Sequence, residues 1–338
     1  MESIIKLVSA IITTHNRAEL LTRAIESVLG QTYPEMEVIV VDDASTDNTS
    51  DVCAKYPIQY IYIPEVESRG GNYARNLGIR AANGEYCAFL DDDDYWLPTK
   101  IEKQMALALD KDSACVFCLR KYEYYENGVI ARFREEPRRK PSGDLSQLIF
   151  KRYVTNTSCI LAKTSLIREV GCFDENFRKW QEYDLMIRLA EKTPIYYVDE
   201  ILCVYRVDKK DTNRISNDFD RVIETICKIR KKYSKRMASL PLSIRLYFYD
   251  TCIENIYKLA KKTNHRLWLW GLFLPRQVLR IYKMLDDREF AKEEYNRTLM
   301  KKSGLLKSVN RGGQNELSII IDISFDRLTG INLNKLAT

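Results

Sequence analysis

Four consecutive carboxylates, Asp91 to Asp94, follow directly on the apolar run at residues 86–90. Adjacent negative charges repel one another unless a cation or nearby positive groups compensate. Alternate side chains of an extended segment point the same way, so Asp91 and Asp93 can face one ligand together. Such an oxygen-only donor set suits Mg²⁺ or Mn²⁺, which keep positions open for phosphate oxygens. The plainer alternative is a solvated acidic loop capping the helix that Pro98 announces. A second acidic pair, Asp42-Asp43, follows the β-branched run at residues 37–41 and precedes Ser45, Thr46, Asp47 and Asn48. It can form a turn and helix cap, or accept hydrogen bonds from a nucleotide base or ribose.

Other chemistries lack their residues. The only histidines are His15 and His265, so a three-His zinc site within one chain is excluded and no HExxH pair exists. No GxxxxGK[ST] or GxGxxG run is present, and neither histidine accompanies a GxSxG turn. The nine cysteines are odd in number and scattered through apolar runs, as expected of reduced thiols packed as small hydrophobes. Cys115 and Cys118 form a CxxC with no second pair to complete a metal site.

The elements that must position the acids alternate strand and helix. Strands are expected at residues 7–14, 37–41, 58–63 and 86–90. Helices are expected at 17–30, 46–56, 73–82 and after Pro98, from apolar residues recurring at helical spacing. This rhythm implies a parallel, doubly wound α/β sheet with helices on both faces. Ligands of such sheets bind beyond the carboxyl ends of the strands. Thr13-Thr14, Asp42-Asp43 and Asp91–Asp94 all fall at those ends. Further on, a hairpin is expected around Asn127-Gly128, followed by a charged loop at 132–140. Strands are expected at 157–162, 195–198 and 201–205, and a helix at 184–191. Asp199-Glu200 is read as an exposed turn between the last two strands.

In order along the chain, the motifs are AIITTHNR, LGQTYP, VIVVDDASTDNT, GNYARNLGI, GEYCAFLDDDDYWLP, WQEYDLMIRL and YRV. Over residues 7–210 this succession resembles the inverting glycosyltransferases of family 2, with their Rossmann-like GT-A fold. The resemblance implies that Asp43 contacts the nucleotide base with Thr13 and Asp42 close by, and that Arg75 lies near the nucleotide. It implies that Asp91, Asp92 and Asp93 form the metal-and-diphosphate motif, with Asp91 and Asp93 on Mn²⁺ or Mg²⁺. Glu182 falls at the general-base position, where the family more often has Asp, and Asp184 is the second candidate. The family's Tyr-Arg-x-His becomes Tyr205-Arg206-Val207-Asp208, which leaves the role of Asp208 open. His15 is expected to line the site and His265 to lie on the surface. The implied reaction moves a sugar from a nucleotide sugar, with UDP expected, to a hydroxyl of a glycan or lipid-linked acceptor in bacterial surface-polysaccharide assembly. Two alternatives stand beside it. A sugar nucleotidyltransferase would want a Gly-rich phosphate loop after the first strand, where AIITTHNRAEL has no glycine. An inactive relative would bind a nucleotide sugar or a protein partner without turnover.

At 338 residues the chain has room for about two domains. Its 45% hydrophobic and 30% charged residues are ordinary for a globular protein. A division is expected at residue 215, with a catalytic domain at 1–215 and a basic, mainly helical region at 216–338. The charge changes at the same place. Residues 1–215 carry 29 Lys+Arg and 34 Asp+Glu, and residues 216–338 carry 24 and 13, so the halves bear −5 and +11 and sum to the net +6. Helices are expected at 219–233, 242–262, 267–284 and 289–300, with an apolar segment at 317–323. Residues 265–283 mix Trp268, Trp270 and Phe273 with Arg266, Arg276, Arg280 and Lys283. They can lie on an anionic membrane or pack as a helix with a solvated basic face. No apolar run reaches the roughly 18–20 residues of a membrane span, and the first apolar stretch reads as a strand, not a signal peptide. The expected place is the cytoplasm, with peripheral contact at the membrane face. Nucleic acid is not an expected partner, since no recognition module accompanies the charge.

Overall fold

The computed structural model describes residues 5–138, 140–151, 153–208 and 219–262. The chain divides into two compact units, residues 1–149 with 153–215, and residues 150–152 with 216–338.

The first unit is built on one mixed sheet. Its strands are β1 (Val8–Thr14), β2 (Met36–Asp43), β3 (Gln59–Ile63), β4 (Tyr86–Asp91), β5 (Tyr95–Trp96), β6 (Cys115–Glu126), β7 (Val129–Glu135), β8 (Ile160–Lys163) and β9 (Ile195–Asp208). They lie in the order β3-β2-β1-β4-β8-β6-β9-β5, with β7 paired to β6. Strands β3, β2, β1 and β4 are parallel, as are β6 and β9, whereas β8, β7 and β5 pair antiparallel. All seven residues of β1 are buried, as a central strand covered on both faces requires.

The helices are α1 (Ala18–Leu29), α2 (Thr49–Cys53), α3 (Gly71–Ala81), α4 (Lys100–Asp110), α5 (Thr164–Glu169) and α6 (Gln181–Ala190). Helix α1 buries Ala18, Leu21, Ala24, Ile25 and Val28 in one core with Ala10 and Ile12 of β1. Helix α3 takes the opposite face. A Cβ on its Gly78 would stand 2.5 Å from Ile11 Cγ2 and 3.4 Å from Val41 Cγ2, so only glycine permits this approach. That contact sets the height of Arg75, one turn earlier, above the strand ends.

Several elements differ from expectation. The helix expected at 46–56 shrinks to the five residues of α2, because Asp47 folds the preceding segment into a turn by accepting from Thr49 N–H and Ala18 N–H. The two strands expected at 195–205 form one strand, β9, whose pairing with β6 slips at Cys118/Leu119 and Leu119/Arg120. Asp199 and Glu200 are the exposed residues of that irregularity. The strand expected at 157–162 opens with a 3-10 turn, Thr157–Cys159, before β8. The return strand of the hairpin runs on to Glu135, through part of the segment read as a charged loop.

The described part of the second unit contains α7 (Phe219–Lys232), α8 (Ser234–Ala238) and α9 (Leu242–Lys262). Its interior includes Phe219, Val222, Ile226, Ile229, Leu246, Phe248, Cys252 and Ile256. The expected helices at 267–284 and 289–300, the segments 265–283 and 317–323, and His265 lie outside the described residues.

Candidate active site

Register across the sheet brings three sequence motifs to one edge. Thr13 pairs with Val41 on one side and Asp91 on the other, and Thr14 pairs with Asp42. The loops after β1 and β2 are tied together. Asn16 Oδ1 accepts from Thr46 N–H at 2.7 Å, and Asn16 N–H donates to Ser45 Oγ at 2.8 Å. Asn16 and Ala44 take left-handed backbone, with φ of +52° and +63°. Strained positions of this kind gather where a chain must present groups to a ligand.

The four acids divide into two inward and two outward. Asp94 is fully buried, accepting from Ser158 Oγ at 2.6 Å and Arg206 N–H at 3.1 Å. Burial, with Asp93 and Asp91 nearby, raises its carboxyl well above the ordinary carboxylate range. Asp92 accepts from Thr14 Oγ at 2.8 Å and Arg17 Nη1 at 3.2 Å. Burial and the charge of Asp93 push it up to about 7, against the pull of Arg17 and Thr14. Asp91 and Asp93 are the more open pair, with side chains 29% and 17% exposed. Arg75 Nη2 holds Asp91 at 2.5 Å, and Arg17 Nη1 stands 3.4 Å from Asp93. The strand ends at Asp91 and the next two residues turn, closed by Asp94 N–H on the Asp91 carbonyl at 3.0 Å, so the exposure of Asp91 and Asp93 comes from a turn and not from the extended alternation expected. Arg17, set by the turn after β1, is a partner to which the sequence assigned no role.

The second acidic pair also splits. Asp42 is 1% exposed, and its oxygens accept from Tyr60 O–H at 2.7 Å and Ser45 N–H at 2.9 Å. It therefore shapes the loop from inside. Asp43 is 7% exposed, and its Oδ1 is buried without a hydrogen-bond partner among the described residues. The ring of His15 approaches the Asp43 carbonyl oxygen through Nδ1 at 2.5 Å, and Nε2 lies 3.2 Å from Asn16 Nδ2. A protonated Nδ1 and an accepting Nε2 satisfy both contacts, so His15 braces the loop.

Helix α6 brings Glu182 to the same place. Its approach is set by α3, whose Asn72 and Asn76 share one face at i, i+4. Asn72 donates to the carbonyls of Asp174 at 2.9 Å and Phe177 at 2.6 Å, and Asn76 to that of Phe173 at 2.9 Å. Trp180, just before α6, has φ +57°, a left-handed conformation that is rare for so bulky a residue. Glu182 is buried, with Oε1 accepting from Tyr153 O–H and Oε2 without a partner among the described residues. Burial raises its carboxyl above the ordinary value. Tyr153 and Arg75 pull it down, and Asp91 pushes it up further, so the Arg75–Asp91 pair lies within its field. Nothing in the sequence pointed to Tyr153, which comes from a segment without regular structure.

Asp184, on the same first turn of α6, is held differently. It is fully buried and binds Arg188 through Nε at 3.0 Å and Nη2 at 2.6 Å, while Arg188 Nη1 donates to the Val170 carbonyl at 2.5 Å. Through Arg188 its carboxylate ties α6 to the segment after α5, whereas Glu182 keeps Oε2 without a partner among the described residues. Asp208 pairs with Arg206 at 2.8 Å.

The described residues contain no group of three or more metal-ligating side chains. Asp91 and Asp93 still fit a hard cation that takes its remaining ligands from diphosphate and water, because their side chains keep 29% and 17% of their surface exposed and face arginines that an incoming anion can recruit.

Comparison with known proteins agrees with this arrangement. The profile described as Glycosyl transferase family 2 matches residues 9–171, from β1 to the end of α5. An uncharacterised glycosyltransferase of Rickettsia typhi is 30% identical over 236 residues, covering 68% of this chain and 73% of that protein. The UDP-Glc:alpha-D-GlcNAc-diphosphoundecaprenol beta-1,3-glucosyltransferase WfaP of Escherichia coli is 43% identical over 101 residues, 30% of this chain and 40% of WfaP. Among solved structures, S. aureus TarS 1–349 in complex with UDP-GlcNAc superposes with a TM-score of 0.60 at 19% identity, covering 80% of this chain and 79% of that one. With its GT-A sheet and its two acidic strand ends beside Thr13-Thr14, the chain belongs to glycosyltransferase family 2.

Proposed function

We propose that the chain is an inverting glycosyltransferase of hexosyl type that moves a sugar from a UDP-sugar to a hydroxyl of a glycan or lipid-linked acceptor in polysaccharide assembly. The observation that carries this reading is the buried Oε2 of Glu182, without a partner among the described residues and within the field of the Arg75–Asp91 pair. A proton acceptor is thus held next to the place where a diphosphate would be anchored. The bare Oδ1 of Asp43 is the complementary feature, an acceptor waiting for the N–H of a base. WfaP carries UDP-glucose and a lipid-diphosphate acceptor in its name, and TarS was solved with UDP-GlcNAc; both support a UDP-sugar donor.

In the reaction, Asp43 and the backbone near Thr13 receive the uridine, while Asp42 holds their loop in shape. Arg75 and Arg17 face the donor diphosphate, and Asp92 keeps Arg17 in place. Asp91 and Asp93 would hold Mn²⁺ or Mg²⁺, which when bound supplies charge neutralisation for the departing diphosphate. Glu182 removes the proton from the acceptor hydroxyl as its oxygen attacks the anomeric carbon. The bond from that carbon to the diphosphate oxygen breaks, its electron pair leaves with UDP, and the configuration inverts. The proton resides on Glu182 until it passes to solvent.

Calorimetric titration of UDP, with Mn²⁺ and then with EDTA, tests the donor site. Affinity should fall at least about tenfold on chelation and equally in Asp93→Ala, a difference of about 1.4 kcal/mol. No UDP binding in either condition would remove the UDP-sugar reading. UDP binding without turnover of any UDP-sugar would favour the inactive relative.

A further inference from the structure

Beyond Glu182, one face of the sheet carries a ladder of tyrosines and arginines that donor chemistry does not use. Tyr153, the partner of Glu182, lies within electrostatic reach of Arg120 and Tyr205. Arg120 Cζ stands 5.9 Å from the Tyr205 ring centre and 5.1 Å from that of Tyr122. The rings of Tyr122 and Tyr205 meet edge-on at 5.6 Å, and Tyr124 follows at 6.5 Å from Tyr122. From β7, Arg134 covers Tyr122 at 4.3 Å and Arg132 covers Tyr124 at 3.8 Å. The hairpin register explains this pattern. Tyr122 sits opposite Arg134 and Tyr124 opposite Arg132, and a bulge after Tyr124 keeps both arginines on the tyrosine face.

The ladder is both open and charged. Arg120 is buried and paired with Glu136 at 3.3 Å, yet its Nη1 has no hydrogen-bond partner among the described residues. Arg132 and Arg134 are exposed, and neither has a carboxylate partner among the described residues. It also stands over the catalytic edge. Cys87 of β4 and Cys115 of β6 both lie level with Ala162 of β8, which puts Asp91 level with Leu119. Strand β6 continues seven residues further, to Glu126. At about 3.3 Å per residue that is roughly 20 Å of wall beyond Asp91.

We infer that this face is the acceptor-binding surface, and that it takes a saccharide bearing an anionic group, phosphate or carboxylate, close to the sugar that receives the new linkage. Arginines stacked on tyrosines are held in place before the ligand arrives, and each offers a fork of donors that matches a phosphate or carboxylate. The tyrosine rings fix those arginines in place, and the hydroxyls at their rims add hydrogen-bonding groups for a saccharide. The inference rests on the glycosyl-transfer reading above, because it takes Glu182 as the point where the acceptor hydroxyl must arrive.

The test compares three probes at saturating UDP, which occupies the donor site: an octyl diphosphate ester of N-acetylglucosamine, octyl glucuronide and neutral octyl glucoside. At least one anionic probe should bind about tenfold more tightly than the neutral one, and Arg132→Gln/Arg134→Gln should abolish that advantage. Which anionic probe wins tells phosphate from carboxylate. UDP affinity, read separately, should stay at the wild-type value. The inference is overturned if wild type binds all three probes alike, or if the double variant keeps the preference. It is equally overturned if the variant's defect is loss of binding to phosphatidylglycerol vesicles without sugar, which would make the face a membrane contact. Failure of wild type to bind UDP would instead strike the donor reading, so the two failures are distinguishable.

Discussion

At the scale of single residues, the site depends on carboxyl groups that burial has sorted by role. Asp42, Asp92, Asp94 and Asp184 have protein donors on their oxygens, whereas Asp43 and Glu182 each keep one oxygen without a partner among the described residues. Only the second kind can greet a ligand without first breaking a bond. Glu182→Gln should therefore lower turnover about 10²–10⁴-fold while leaving UDP affinity unchanged. Its pH dependence has a definite sign. Burial raises the Glu182 carboxyl, and in the proposed role of general base it would act in its deprotonated form. Turnover should be full above that raised value and fall as pH drops through it, at a higher pH than an ordinary glutamate near 4.3 would give. Tyr153→Phe removes a donor that pulls the value down, so the acid limb should move further up in a pH–rate profile. Stability runs the other way. A carboxyl raised on folding contributes stability below its unfolded value and loses it as pH rises through the folded one. Glu182→Gln should therefore melt at pH 7 no lower than wild type.

At the scale of elements, the proposed base Glu182 is only as well placed as helix α6. Asp184 and Arg188 are joined by two hydrogen bonds, and Arg188 reaches on to the Val170 carbonyl. Their side chains are 0% and 15% exposed, so removing one partner leaves the other charge buried. Asp184→Ala should cost about 3 kcal/mol in denaturant unfolding, and the folded enzyme should keep turnover within about tenfold of wild type. Collapse of turnover with unchanged stability would instead make Asp184 the base. The parallel strands were legible because β1, β2 and β4 are continuous apolar runs ending in polar residues. The acids at their ends were legible for the same reason. Element boundaries that depend on tertiary hydrogen bonds were not. Asp47 cut α2 short through contacts with Thr49 and Ala18, and the β9 irregularity follows its pairing with β6. Tyr153 and Arg120 had no local signal either, since both gain their meaning from partners distant in sequence.

At the scale of the whole molecule, the charge asymmetry is the feature that the active site does not explain. The first 215 residues sum to −5 and the remainder to +11. Within the described part of the second unit, α7 ends in Arg230, Lys231 and Lys232, and α8 adds Lys235 and Arg236. No described helix is long and apolar enough to cross a membrane. A lipid-linked acceptor, one of the two kinds proposed above, would keep its chain in the bilayer, and the enzyme would then have to come to it. Clustered Lys and Arg near an anionic surface contribute roughly 1 kcal/mol each, and salt screens them within a Debye length of about 10 Å at 0.1 M. The full chain should therefore sediment with phosphatidylglycerol vesicles at low ionic strength and release as salt rises toward 0.5 M, while phosphatidylcholine vesicles leave it in solution. Lys231→Glu/Lys232→Glu should weaken that binding, and Arg132→Gln/Arg134→Gln should not, because the inference above assigns the hairpin arginines to the acceptor and leaves the helical ones to the anionic surface. Equal binding to neutral vesicles would mean that apolar contact, not charge, brings the enzyme to the membrane.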